Sequence, residues 1–148
     1  MNLLADTCFW ISLCDPTDGD HFETISMMEI LTDDRRHTIL VPHPVLYETL
    51  CSRMVKKPEQ VKLLSHYFEE VIMVSDADYI KEAYTLVGRQ ANMNDGMASM
   101  VDWVIMLMAD DIRNNVKGIL TRNGRDFSVF CQKHEIPMIN GLAILNAI

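Results

Sequence analysis

Four acidic residues, Asp6, Glu48, Asp102 and Asp126, occupy positions from which a carboxylate can do chemistry. Asp6 follows the short apolar run Asn2-Leu3-Leu4-Ala5 and precedes Thr7-Cys8-Phe9-Trp10-Ile11, which reads as the start of a helix. An Asp there also has a plain structural role as a helix cap. Asp126 comes just after a second apolar run, Gly118-Ile119-Leu120. In open α/β sheets, ligands bind in the crevice beyond the carboxyl ends of the strands, so both acids belong to one rim. On a helix, Asp102 shares its face with Ala98, Ser99, Ile105, Met106 and Ala109, and no Lys or Arg stands on that face. Burying an unpaired carboxylate is expensive, so a cation or a distant base must answer for Asp102. Glu48 makes a milder version of the same case: Pro44, Val45, Cys51 and Ser52 lie one turn away, and Arg53 lies on another face.

Carboxylates that converge without matching bases are what hard divalent cations select, because Mg²⁺ and Mn²⁺ prefer oxygen ligands and keep waters for a substrate phosphate. Two such ions about 3.5 to 4 Å apart activate a water and stabilise the leaving oxygen of an in-line phosphodiester cleavage. The residue types therefore point to hydrolysis of phosphate esters. The four cysteines, Cys8, Cys14, Cys51 and Cys131, are irregularly spaced and contain no CxxC pair. Neither a zinc site nor a disulfide framework is indicated, and reduced thiols are expected.

The elements that must position these acids follow from the hydrophobic pattern. Short apolar runs alternate with amphipathic stretches, which predicts an α/β fold around a parallel sheet. Strands are expected near Asn2–Ala5, Thr38–Val41, Val71–Val74, Gly118–Leu120 and Pro137–Ile139. Helices are expected from Pro44 to about Val55, from Pro58, and over Asp20–Asp34, Asp76–Gln90, Ala98–Asn114 and Asp126–His134, with a short one after Gly141. With 148 residues and no repeat or Pro/Gly-rich linker, a single domain over 1–148 is expected. The longest strongly apolar uncharged run, Trp103 to Ala109, is far below the ~20 residues of a membrane span, and the start lacks a basic leader region. A soluble cytoplasmic protein is expected.

The formal charge of -8 is uneven. Residues 1–34 hold eight acids and no Lys or Arg, and the rest of the chain is neutral. A nucleic-acid partner usually meets a basic surface. The nearest approach to one is residues 35–62, with Arg35, Arg36, Arg53, Lys56, Lys57 and Lys62 against Glu48 and Glu59, although a solvated charge run is the plainer reading.

The motifs Leu4-Ala5-Asp6-Thr7 with Phe9-Trp10-Ile11, Asp18-x-x-His21, Val41-Pro42-x-x-Val45-Leu46-x-Glu48, Ser99-x-x-Asp102 and Leu120-Thr121-Arg122-Asn123-x-Arg125-Asp126-Phe127 come in one order along residues 3 to 130. In that order and spacing the chain resembles the PIN-domain nucleases, and most of all their small bacterial members, the VapC-type toxins. The resemblance implies a three-layer PIN-like fold with a central parallel sheet flanked by helices. It also implies Mg²⁺- or Mn²⁺-dependent cleavage of RNA, homodimerisation and an antitoxin protein as partner. Asp6, Glu48 and Asp102 match the first three acids of the family site. Many members place the fourth where this chain has Asn123; others have the form seen here, with the acid at Asp126. By the same resemblance Thr121 orients a ligand or water near the metal, and Cys8 replaces a more usual serine or asparagine. Arg53, Lys56, Lys57, Arg122 and Arg125 are the candidates for holding RNA.

Weaker signals have bland readings. His21 on a helix face is more often packing or capping than a ligand. Asp95 reads as a solvated loop acid. Met27, Met28, Met93, Met97, Met100, Met106 and Met108 read first as core filling, with a dimer surface as the alternative. Two rival functions remain at this level: a catalytically silent PIN-like binding module, and a phosphoacceptor receiver-type domain. The latter needs an acidic pair after its first strand and an acceptor Asp after a middle one, where only Asp76 stands.

Overall fold

The computed structural model describes residues 1–33, 36–93 and 98–147. Asp95 and Met97 lie outside the described residues. The chain runs β1 (Asn2–Ala5), α1 (Thr7–Cys14), α2 (His21–Asp33), β2 (Thr38–Pro42), α3 (His43–Cys51), α4 (Pro58–Phe68) and β3 (Ile72–Val74). It continues through α5 (Ile80–Met93), α6 (Met100–Asp110), β4 (Val116–Leu120), α7 (Gly124–His134), β5 (Met138–Ile139) and α8 (Leu142–Leu145). Single 3₁₀ turns at Arg53–Lys56 and Ile112–Asn114 join neighbouring elements.

The strands form one sheet in the order β3-β2-β1-β4-β5, and every pairing is parallel. A parallel sheet covered on both faces needs apolar side chains on both, so its strands read as continuous apolar runs. In β1, Leu3, Leu4 and Ala5 are fully buried; in β4, Ile119 and Leu120 are too. Helix α1 is buried on most sides. Its Trp10 ring packs edge-on against Phe9 and against Phe68 of α4, with centroids 5.4 and 4.7 Å apart. This is the α/β architecture with helices around a central parallel sheet that the sequence pattern predicts.

The order also excludes the receiver alternative. Receiver-type domains follow the strand order 2-1-3-4-5, with their switch point between strands 1 and 3. Here the direction reverses between β1 and β4, which places the ligand-binding crevice beyond Ala5 and Leu120. Asp76, after β3, lies on a different part of the rim, 3.9 Å from Nδ1 of His43.

Helix boundaries depart from expectation in α3, α5, α6 and α7, the last starting at Gly124 because Asn123 caps it. Helix α3 ends at Cys51 instead of Val55, because extended Ser52 accepts from the Met54 amide and starts a 3₁₀ turn. Helix α6 begins after Ser99, and it stops at Asp110 because Asp111 caps the next turn and Asn115 turns left-handed at φ 46°. Helix α5 starts at Ile80, four residues after Asp76.

Candidate active site

Strand β1 delivers Asp6 to the crevice, where the backbone turns from extended to helical. The Asp6 amide donates to the Leu120 carbonyl at 3.0 Å, so the ends of β1 and β4 stay in register beyond the ladder. Asp6 is the N-cap of α1, 4% exposed, and its carboxylate accepts three hydrogen bonds. Oδ1 accepts from the Thr7 amide at 2.6 Å; Oδ2 accepts from Cys8 Sγ at 2.9 Å and from Thr121 Oγ1 at 2.8 Å. These bonds favour the charged form. Burial outweighs them, and the neighbouring Asp102 charge adds to it, so the Asp6 pKa is raised. The Cys8 thiol is pushed up to about 12 by burial, then by the Asp6 charge, and it remains a thiol.

Thr121 joins these groups. Its hydroxyl, 1% exposed at the end of β4, donates to Asp6 and accepts from the Asn123 amide at 2.9 Å. Asn123 then caps α7, with its Nδ2 donating to Asp126 Oδ2 at 2.7 Å. Asp126 Oδ1 accepts from Arg125 Nε at 3.1 Å. That guanidinium, and next the Asn123 amide, hold the Asp126 pKa below the ordinary carboxylate value.

Asp102, 6% exposed, is the third residue of α6. Its Oδ2 accepts from the Ser99 amide at 2.6 Å, while its own amide donates to Ser99 Oγ at 3.1 Å. This reciprocal capping box satisfies part of the burial cost without any cation, which corrects the inference that only a cation or a base could answer for Asp102. Asp102 Oδ1 accepts no hydrogen bond among the described residues. Glu48 is exposed on α3, and its Oε2 accepts from Thr7 Oγ1 at 2.5 Å. No base pairs with Asp6, Glu48 or Asp102 among the described residues.

All four acids line one cavity of about 600 Å³, together with Cys8, Ser99 and Asn123. The donor set is hard oxygen, which fits Mg²⁺ or Mn²⁺. Among the described residues, no group of three or more Asp, Glu, His or Cys side chains is placed to hold an ion as they lie. The fit therefore depends on waters completing the shell, as Mg²⁺ prefers.

The basic candidates separate. Arg125 lines the cavity with its side chain 87% exposed. Arg53 and Lys56 are exposed on the turn after Ser52, which itself lines the cavity, and Lys57 pairs with Asp15 at 3.2 Å. Arg122 does not face the cavity, which corrects its placement among the RNA-holding residues. Its guanidinium, 14% exposed, bonds Glu23 at 3.0 Å, Thr24 Oγ1 at 3.0 Å and the Asn140 carbonyl, tying β4 to α2. His21 is buried, with Nδ1 2.9 Å from the Ser12 carbonyl, a packing role. Met27, Met28, Met106 and Met108 are core, whereas Met100 is exposed. Ser99 and Thr7 are not among the expected site residues; the Ser-x-x-Asp spacing signals the first as a capping box, and its place beside Asp6 in the Leu4-Ala5-Asp6-Thr7 motif is the one signal for the second.

No protein-family model matches the chain, and no curated protein matches it in sequence. Solved structures do match in fold. The Mycobacterium tuberculosis VapC20 toxin, which cleaves the sarcin-ricin loop, superposes with a TM-score of 0.66 at 17% identity over 86% of this chain and 94% of that one. VapBC2 of Rickettsia felis, solved on a DNA fragment from its promoter, gives 0.61 at 15% identity over 93% and 97%. The chain has the three-layer PIN-like fold of the VapC-type toxins.

Proposed function

We propose that this protein is a metal-dependent endoribonuclease and the toxin of a toxin–antitoxin pair. The observation that carries this reading is the cavity at the β1/β4 switch point, into which four segments deliver Asp6, Glu48, Asp102 and Asp126 while three of these acids have no basic partner among the described residues. The fold shared with VapC20 and VapBC2 supports it. Asp6, Glu48, Asp102 and Asp126 would hold the ion. A bound Mg²⁺ or Mn²⁺ would supply an activated water and stabilise charge on the phosphate oxygens.

The chain's own groups prepare that chemistry. Thr121, Cys8 and the Thr7 amide clamp Asp6, and the Ser99 amide clamps Asp102 through Oδ2, leaving Oδ1 without a hydrogen-bond partner among the described residues. Such outer contacts fix the geometry of ligating carboxylates. Arg125 stands on the rim, where a phosphate approaches. The antitoxin partner, a homodimeric state and action in the cytoplasm belong to the same proposal.

The test is cleavage of single-stranded oligoribonucleotides by the purified chain with Mg²⁺ or Mn²⁺ and with chelator. Cleavage should require metal, and Asp6→Asn and Asp102→Asn should each abolish it in a folded protein. Cleavage that persists in chelator or in either variant refutes the mechanism, whereas a metal-bound protein that never cuts favours the silent binding module.

A further inference from the structure

A second cavity, of about 750 Å³, opens beside the carboxylate cavity and shares Arg125 and Asp126 with it. Helices α6 and α7 form most of its walls, and its character is different. Trp103 and Phe130 line it half-buried, and Val129 stands on its lip 76% exposed. The Trp103 indole is held in place by donating from Nε1 to Gln90 Oε1 at 3.0 Å. Phe130 is supported on one side by the His134 ring, stacked at 4.4 Å and 22°, and His134 is in turn bonded to Asp110. Lys133 lines the groove, exposed and with no ion-pair partner among the described residues, and Arg125 stands at the junction of the two cavities. Preset aromatic rings beside an unpaired lysine and an exposed arginine that is held by Asp126 make the platform on which single-stranded nucleic acid stacks its bases, and the volume suits one or two of them.

We infer that the α6–α7 groove is a nucleobase subsite, in which an unpaired base next to the phosphate in the carboxylate cavity stacks on Trp103 and Phe130 while Arg125 and Lys133 meet the flanking phosphates. The inference rests on the ribonuclease reading and adds to it: the nucleotide beside the cut must be unpaired. Two features favour RNA over a protein segment as the occupant. The groove is continuous with the cavity that would hold the scissile phosphate, and its two carboxylates, Asp110 and Asp126, are bonded to His134 and Arg125 while Lys133 has no ion-pair partner among the described residues.

Fluorescence gives a direct test, because the chain has two tryptophans and Trp10 is fully buried, so a ligand-dependent change reports Trp103. The full chain carrying Asp6→Asn, which cannot cut, is titrated in Mg²⁺ with single-stranded oligoadenylate and with an abasic ribose-phosphate strand of equal length. Oligoadenylate should quench the fluorescence saturably and the abasic strand should not. Phe130→Ala should weaken oligoadenylate binding roughly tenfold. Val129→Asp, at an exposed position that tolerates the change, should weaken it through repulsion of phosphate. Lys133→Ala should lower the salt slope by about 0.7. Equal binding of both strands, or groove variants that bind like the parent, would overturn the subsite. A change of solution mass with Val129→Asp, at unchanged RNA affinity, would overturn it in favour of a contact between copies. Base-dependent quenching without metal-dependent cleavage by the unmodified chain would uphold the subsite and sink only the ribonuclease reading. Cleavage without base dependence would do the reverse.

Discussion

Replacing Asp6 by Asn should make the metal-free protein more stable at neutral pH, although Asp6 is buried and accepts three hydrogen bonds. Buried polar substitutions ordinarily destabilise. The exception follows from the raised pKa of Asp6, in which burial and then the Asp102 charge disfavour ionisation more than the three donors favour it. In the unfolded chain an Asp titrates at about 3.9. Between that value and the raised folded value, the native state binds more protons than the unfolded state, so stability falls as pH rises through the window. One proton limits the slope to about 1.4 kcal/mol per pH unit, worth about 3 to 5 °C of melting temperature per pH unit in a domain of this size. Above the folded pKa the loss is complete. Asparagine keeps the acceptor for the Thr7 amide and carries no charge, so it resembles the neutral acid at every pH.

The assay is thermal unfolding of the parent and Asp6→Asn proteins from pH 4 to 8 in chelator, then in Mg²⁺ or Mn²⁺. Asp126 has a lowered pKa, so its contribution is lost as pH falls; both proteins carry it, and the difference curve isolates Asp6. The parent should lose ground to the variant as pH rises above 4 and regain it with metal. That recovery is about 2.7 kcal/mol, or about 5 to 10 °C, at a metal concentration a hundredfold above the dissociation constant. A flat difference curve with the variant melting lower throughout would refute the reasoning, as would an equal response of the two proteins to metal.

Thr121→Val should cost about 1.5 to 3 kcal/mol in denaturant unfolding, because it removes a buried donor to a carboxylate, and should weaken metal affinity about 10- to 100-fold, read from the metal dependence of cleavage; Thr121→Ser should restore both. Glu48→Gln changes an exposed residue whose contact is Thr7 Oγ1, so stability should stay within about 0.5 kcal/mol while metal-dependent cleavage is lost. Reversing Lys56 and Lys57 to Glu should weaken RNA binding and flatten its salt dependence, whereas Arg122→Ala should lower the melting temperature and leave the salt slope alone, as filter binding at several salt concentrations will decide.

The strands are legible in the sequence because a covered parallel sheet leaves uninterrupted apolar runs, and β1 begins and ends where that run does. Strand β4 is longer than its run suggests because Lys117 points outward between buried Val116 and Gly118 and breaks the pattern without breaking the ladder. The four acids are legible by type, and the switch point explains why Asp6 and the end of β4 meet. What local pattern cannot carry is a partner far along the chain. Arg122 sits within the most specific motif, yet its guanidinium is claimed by Glu23, 99 residues earlier. Glu48 and Thr7, 41 residues apart, are likewise joined only by the fold.

Asp102 shows why type and spacing alone leave capping and metal binding undivided. A carboxylate at the third position of a helix has one oxygen for the preceding amide and another to spare, so the same residue serves as cap and as ligand. The arrangement recurs around the cavity. Asp6 caps α1, Asp102 caps α6, and Asp126 occupies the first turn of α7, so three helix N-termini face the crevice. Each N-terminus carries partial positive charge and free amide donors. They let Asp6 and Asp102 remain in place without a basic side chain, and the space a Lys or Arg would have filled stays open to an ion and a phosphate. On this reasoning the caps are the condition for the cation site. They hold the acids in position ahead of any ion, while the residual cost of burying Asp6 and setting it beside Asp102 is what the proposed metal would relieve.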